Sequence, residues 1–240
     1  MAATRTRKIL KVLLIALLVL AVVPPVQVLL TGFWNPKTSP MQWQRWVESW
    51  GNKEPGWTET PIQWMTLKEI PQAQIHYIWA SEDQNFFEHG GFDFPQLRKA
   101  MKEAKVKGRD VRGASTITMQ CARTVYLWQG RSYVRKALEA YYTFWMELFL
   151  SKQRILELYL NHIELGPGIY GVGAAAEKHF GKPLNQLSKS QMMALAAILP
   201  NPLNWSPVNP QGIVQSKIRR VERLSRKAPF PAKELTGTTK

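Results

Sequence analysis

Residues 81 to 93 read S-E-D-Q-N-F-F-E-H-G-G-F-D, so Glu82, Asp83 and Glu88, two adjacent phenylalanines, a histidine and a Gly-Gly pair occur together. Carboxylates at this density can take or give a proton, or hold a charged ligand. The apolar run Ile75 to Ala80 stands directly before them and reads as the core face of a helix. A helix that ends in polar, chemically capable residues and breaks at Gly90-Gly91 delivers those groups to a rim or cleft. Glu82, the first carboxylate after the apolar run, is the leading candidate for an acid or base.

Cations form the second chemical feature. The chain has 240 residues with 32 basic against 17 acidic, a formal charge of +15, which implies an anionic partner: nucleic acid, a membrane surface or a phosphorylated substrate. Eleven of the basic residues lie between Arg98 and Lys136, against only Glu103 and Asp110. Within that stretch Arg135 and Lys136 precede Glu139 by four and three residues, which places all three side chains on one helical face. In isolation this pattern is an ordinary surface ion pair. The single cysteine, Cys121, excludes an internal disulfide, no Cys/His cluster has zinc-ligand spacing, and Cys121 itself reads as a small buried hydrophobe.

The elements that must position these groups are helical. Arg5, Arg7, Lys8 and Lys11 precede an apolar stretch that runs to Leu30, interrupted by Pro24-Pro25. Its length meets the roughly 20 residues of a bilayer span, and the basic flank predicts a cytoplasmic N-terminus with the remainder outside. A retained anchor is expected over a cleaved signal peptide, because no A-x-A site follows it. Outside the membrane a nucleic-acid partner is excluded, which leaves anionic headgroups or a lipid-linked phosphate. Six tryptophans, Trp34, Trp43, Trp46, Trp50, Trp57 and Trp64, lie between 34 and 70. Trp43, Trp46 and Trp50 share one helical face, either a core stripe or a belt at the membrane interface. Gly51 to Pro61 reads as loop.

Further on, Phe94, Leu97, Ala100, Met101 and Ala104 keep helical spacing among basic residues, and Lys107 to Asp110 is expected to be a loop. Ser115 or Thr116 is expected to cap a helix whose N-terminus presents N–H groups suited to phosphate. Residues 132 to 150 form a helix with Val134, Leu138, Tyr141, Trp145, Leu148 and Phe149 expected inward. Helices begin at Ser151 and Ser188, the latter with a capping box to Gln191. A proline-stiffened loop and a basic helix from Gly212 to Lys227 close the chain. No stretch alternates as a strand, so the fold class is mainly α.

Five motifs follow one another: E-D-x-x-F-x-x-H-x-G at Glu82 to Gly91, G-x-S-T-I-T-x-Q at Gly113 to Gln120, R-K-x-x-E at Arg135 to Glu139, I-L-E-x-Y-L-N at Ile155 to Asn161 and G-x-x-G-V at Gly168 to Val172. Together they resemble the family 51 peptidoglycan glycosyltransferases over residues 65 to 210. No length remains for the transpeptidase domain of bifunctional relatives, so the resemblance is to the monofunctional, membrane-anchored form.

The resemblance implies a lysozyme-like helical domain with a smaller membrane-proximal lobe, preceded by one transmembrane helix. The segments would be an N-terminal tail and anchor at 1–32, a Trp-rich membrane-proximal segment at 33–70, and the glycosyltransferase domain at 71–240. It further implies polymerisation of lipid II into β-1,4-linked glycan at the outer face of the inner membrane, with inversion and a polyprenyl diphosphate leaving group. Glu82 would be the general base and Glu139 the second catalytic carboxylate. Arg123, Arg131, Arg135 and Lys136 would hold the pyrophosphate; Ser115, Thr116 and Gln120 would bind sugar or phosphate oxygens; Asp83, Phe86 and His89 complete the substrate-binding set. No cofactor is obligatory, and a divalent cation (Mg or Mn) at the pyrophosphate is admitted. Partners would be lipid II, the growing glycan, the membrane and other cell-wall synthesis proteins. Three departures stand out: Met119 where glutamine is common, Arg123 for lysine, and His179 for tyrosine. A lytic enzyme on the same polymer, built on paired carboxylates, and a catalytically silent cell-wall scaffold are the rival readings.

Overall fold

The computed structural model describes residues 2–51, 61–108, 113–130 and 132–236. Among these the chain is mainly helical. The helices are α1 (Ala2–Thr31), α2 (Pro40–Gly51), α3 (Gln72–Glu82), α4 (Phe94–Lys107), α5 (Ile117–Tyr126), α6 (Tyr133–Phe149), α7 (Lys152–His162), α8 (Val172–Phe180), α9 (Lys189–Ile198), α10 (Gly212–Lys227) and α11 (Ala232–Thr236). The mainly α expectation holds, and the strands among the described residues are a small antiparallel hairpin, β1 (Glu164–Gly166) with β2 (Ile169–Tyr170). Two- and three-residue strands are too short for alternation to show in sequence. The glycines of G-P-G-I-Y-G make the hairpin possible: Gly168 and Gly171 take φ of +69° and +82°, where side chains are disfavoured. At Gly171 a Cβ would also lie 2.7 Å from the backbone oxygen of Asn161.

α1 is a single helix through Pro24 and Pro25, although sequence divides it there. Its stretch Arg5–Thr31 is 27 residues long, about 40 Å at 1.5 Å per residue, enough to cross a hydrocarbon core of about 30 Å. Prolines inside a helix remove hydrogen bonds; contacts beyond them hold the last turns in place. Val28 and Thr31 are buried. Tyr142 Oη donates to Gln27 Oε1 at 2.5 Å, Thr31 Oγ1 pairs with Tyr126 Oη at 2.5 Å, and Arg154 Nε donates to Thr31 O at 2.8 Å. Arg154 also reaches the carbonyl of Trp34 and Asn35 Oδ1. The apolar helix is thus clamped to the domain at its C-terminal end.

Helix starts follow their capping residues. Thr116, Ser132, Ser151 and Ser188 each accept from the N–H three residues on, with a full capping box at Ser188 and Gln191. In the core, α5 packs against both α6 and α7, while α3 packs against α9 and α10. Cys121 is buried as expected, with its thiol pushed up by burial.

Two helix faces differ from expectation. On α6 the buried side chains are Arg135, Glu139, Tyr142, Thr143 and Met146, whereas Val134, Leu148 and Phe149 are 67%, 59% and 41% exposed. Leu138 and Trp145 pack against the core as expected, but the face covered by α5 and α1 carries the Arg135–Glu139 pair, and Val134, Leu148 and Phe149 turn outward. On α4 only Ala104 is buried; Phe94, Leu97 and Met101 are exposed. Trp43 on α2 is likewise exposed, which removes it from a core stripe, and it meets Trp46 edge-on at 5.5 Å. The side chain of Trp50, all of Trp57 and most of the Gly51 to Pro61 loop lie outside the described residues, as do Arg109 and Asp110.

One buried titratable group lies under this framework. His162, at the end of α7, is 1% exposed; its Nδ1 donates to Leu158 O at 2.9 Å, and burial pushes the imidazole down to about 4. The unfolded chain therefore takes up a proton near pH 6.5 that the folded chain refuses until near pH 4. Stability is expected to be full above that window and to fall by about 3 kcal/mol as pH drops through it. Denaturant titrations at pH 7, 5.5 and 4 check this, and His162→Gln should remove most of the slope.

Candidate active site

Glu82 is the last residue of α3 and is half-buried. Its Oε2 accepts from Gln120 Nε2 at 2.9 Å, and Gln120 Oε1 accepts from Tyr159 Oη at 3.0 Å. Burial raises the carboxyl above its ordinary range; the Gln120 hydrogen bond and the charges of Arg220 and Arg123 oppose that, and Asp83 adds to it. A carboxylate made more basic by desolvation, yet kept ionisable by nearby cations, suits proton abstraction.

Asp83 does different work. It is buried, and its carboxylate accepts from Ile117 N at 3.0 Å and from His89 Nε2 at 3.1 Å. His89 Nδ1 in turn accepts from Gly91 N at 3.1 Å. Thr116 Oγ1 donates to Gly91 O at 2.7 Å and accepts from Met119 N at 3.2 Å. The start of α5 was expected to offer N–H groups to phosphate. Two of them, Ile117 and Met119, are instead satisfied by Asp83 and Thr116, so the anion at this helix terminus is the protein's own. Asp83→Ala is expected to cost about 2 kcal/mol, since it strips charge-assisted bonds from a buried N–H and an imidazole; thermal unfolding measures it.

The remaining side chains of the first motif are structural in placement. Phe86 is fully buried, meets Phe87 edge-on at 4.9 Å and lies under Lys152 Nζ at 4.5 Å. With no exposed surface, Phe86 packs beneath the motif instead of presenting a face to solvent. Lys152 also donates to His89 O at 2.6 Å and to Glu147 at 2.8 Å, and Thr118 donates to Glu147 at 2.5 Å. At Gly91 φ is +85° and a Cβ would come within 2.6 Å of Thr143, so the motif's second glycine lets the loop press against α6. Glu88 is exposed.

The second carboxylate, Glu139, is fully buried. Its Oε2 accepts from Arg135 at 2.9 Å and its Oε1 from Lys136 at 2.5 Å. Arg135 also donates through Nε to Gly130 O at 2.6 Å. Both carboxylate oxygens are thus engaged, and the Lys136 side chain stays 47% exposed, presenting its charge outward. Arg123 is half-buried and Ser115 half-buried without a hydrogen bond to another described residue. Arg131, expected beside the pyrophosphate, lies outside the described residues, as does Arg112. Met119 is buried, and His179 Nε2 donates to Leu165 O at 2.7 Å, bracing the hairpin.

A metal is poorly served by the acidic cluster present. Ligand atoms of Asp83, His89 and Asp93 lie within 4.8 Å of one another. Both His89 nitrogens are engaged, Asp83 accepts from His89 and Ile117, and Asp93 accepts from Asn85 and Gln96. These groups satisfy one another and do not fit a cation.

Two residues near Glu82 had no expected role. Arg220 is one of several cations on α10, and nothing in the local pattern distinguishes it from its neighbours. Tyr159 falls within I-L-E-x-Y-L-N, but its helical spacing says only that it is buried.

The arrangement agrees with similarity to known proteins. A family model described as Transglycosylase matches residues 53–226. A biosynthetic peptidoglycan transglycosylase of Xanthomonas campestris pv. campestris (strain B100) is 41% identical over 227 residues, 95% of this chain and 92% of the relative. Those of Caulobacter vibrioides and Ectopseudomonas mendocina are 43% and 40% identical, over 91% and 90% of this chain and 92% and 87% of the relatives. With the match spanning most of the chain and about 41% identity over nearly its whole length, the chain belongs to the transglycosylase family.

Proposed function

We propose that this chain polymerises lipid II into β-1,4-linked glycan, with Glu82 as the general base. The observation that carries the assignment is Glu82 itself: a half-buried carboxylate with raised basicity, tied among the described residues through Oε2 alone and within the field of Arg123 and Arg220. Glu82 takes the proton of an acceptor sugar's 4-hydroxyl, and the oxygen attacks the donor's anomeric carbon. The bond to the lipid pyrophosphate breaks with inversion, and the departing diphosphate carries the negative charge. Arg123, Arg135 and Lys136, with Arg131, meet that charge. Glu139 acts through its neighbours: it holds Arg135 and Lys136 in place rather than moving a proton.

The membrane supports the same reading. α1 would anchor the domain at the cytoplasmic membrane, with Arg5, Arg7, Lys8 and Lys11 on the cytoplasmic side and the domain outside. The exposed apolar residues of α4, Phe94, Leu97 and Met101, flanked by Arg98, Lys99, Lys102 and Lys105, suit an anionic headgroup layer.

Incubating the full chain in detergent with lipid II tests the assignment, with and without a chelator. Glycan polymer is the expected product. Shortening of preformed glycan without growth would mark a lytic enzyme instead, and loss of polymer in chelator would assign a cation at the pyrophosphate.

A further inference from the structure

We infer that Tyr159 is a positioning residue for Glu82: its buried hydroxyl fixes the orientation of the Gln120 amide, and that amide aims the base. The inference rests on the assignment of Glu82 as base and adds the device that keeps it ready.

The geometry leaves one consistent arrangement of donors. An ionised carboxylate can only accept, so Gln120 serves it only through its NH₂ group. Turned by half a rotation, the amide would set its oxygen against Glu82, which repels the ionised form and suits only the protonated one. Nothing intrinsic to an amide chooses between the two. Tyr159 makes the choice. It is 0% exposed on α7, and in the arrangement found its O–H has Gln120 Oε1 as acceptor at 3.0 Å. In the reversed arrangement it would have to accept from Nε2, and its own proton would be left without a partner among the described residues, on a side chain with no exposed surface. Burial holds its pKa well above the ordinary phenol value, so the proton stays in place.

The consequence falls on Glu82. Among the described residues Glu82 accepts a hydrogen bond through Oε2 alone, which leaves Oε1 for a substrate hydroxyl. Among the described residues the groups that face Glu82 are Asp83 just after α3, Gln120 and Arg123 on α5, and Arg220 on α10, with Tyr159 behind Gln120 on α7. Burial and Asp83 favour the protonated acid; Gln120, Arg220 and Arg123 favour the ionised base. Without the phenol hydroxyl, the amide is free to turn as Glu82 takes a proton, and the protonated state gains.

The pH dependence of kcat/KM for polymerisation by the full chain in detergent reads this out. Tyr159→Phe is expected to move the acid limb upward by about one pH unit. Gln120→Met, which removes both amide groups at similar volume, moves the same limb in the same direction, and the double variant moves it no further. Replacing Tyr159 by 3-fluorotyrosine keeps the hydroxyl and makes it a stronger donor; the limb then moves downward, which decides the matter even if Tyr159→Phe fails to fold. A purely structural Tyr159 would lower the rate equally at every pH. A limb at its wild-type position in either 159 variant, or additive shifts in the double variant, overturns the inference. Absence of polymer from the wild-type chain would instead sink the assignment on which it rests.

Discussion

Glu82→Gln is expected to lower polymerisation by about 10²- to 10⁴-fold, the usual contribution of a positioned base, while the folded state is retained or slightly stabilised. The substitution keeps the volume and an oxygen that can accept from Gln120, but the amide cannot take the proton of a sugar hydroxyl. Stability moves the other way from activity. Burial raises the carboxyl in the folded state, so folding favours its protonated form. Stability from this group is present at low pH and declines as pH rises from about 4.5, the unfolded value, through the raised folded one. A neutral side chain at 82 escapes that decline. Above neutral pH the variant should therefore unfold at or above the wild-type temperature, as active-site groups often sit at a cost to the fold. For the wild type, activity should rise with pH through an acid limb above the ordinary carboxylate range. Turnover of lipid II by the variant at the wild-type rate would remove Glu82 from the base role.

What the sequence could and could not reveal follows from the range of the forces involved. Caps at Thr116, Ser151 and Ser188 are local hydrogen bonds and can be read from short patterns. The core character of Ile75, Ile78 and Trp79 follows from spacing alone. By contrast, the orientation of α6 depends on which neighbours cover it. Val134, Leu148 and Phe149 are expected to face the core with Leu138 and Trp145, yet they lie outward, and the covered face carries Arg135 and Glu139, two charges that satisfy each other within one turn. The same limit applies to Phe86, whose full burial no local pattern shows, and to Asp83, which closes the start of α5 across more than thirty residues of chain. Gln120 was expected to bind sugar or phosphate oxygens; its amide is taken up by Glu82 and Tyr159. Arg220 reaches Glu82 only because α10 packs on α3, a relation between segments far apart in sequence.

Glu139→Ala is expected to be the most destabilising single change at the site, by about 3 kcal/mol. The Arg135–Glu139 pair is covered on both sides, with 11% and 0% of the side chains exposed, so removing the carboxylate leaves a guanidinium largely buried and without its counter-charge. Lys136 adds less to that cost, since 47% of its side chain is in solvent and an exposed cation is screened. For a chain of this size the loss corresponds to a thermal midpoint lower by roughly 10 °C. Glu139→Gln separates structure from chemistry. It keeps one acceptor oxygen and most of the packing, so Arg135 retains a partner without its charge. If Glu139 works by holding the two cations, this variant should retain measurable polymerisation with a raised KM for the pyrophosphate donor and a pH profile of wild-type shape. A loss as deep as that of Glu82→Gln, with the fold intact, would instead give Glu139 a direct part in the chemistry. The contrast is sharp because the two carboxylates differ in what surrounds them. Among the described residues Glu82 has one hydrogen bond, which leaves an oxygen for substrate, whereas both oxygens of Glu139 are already engaged by cations.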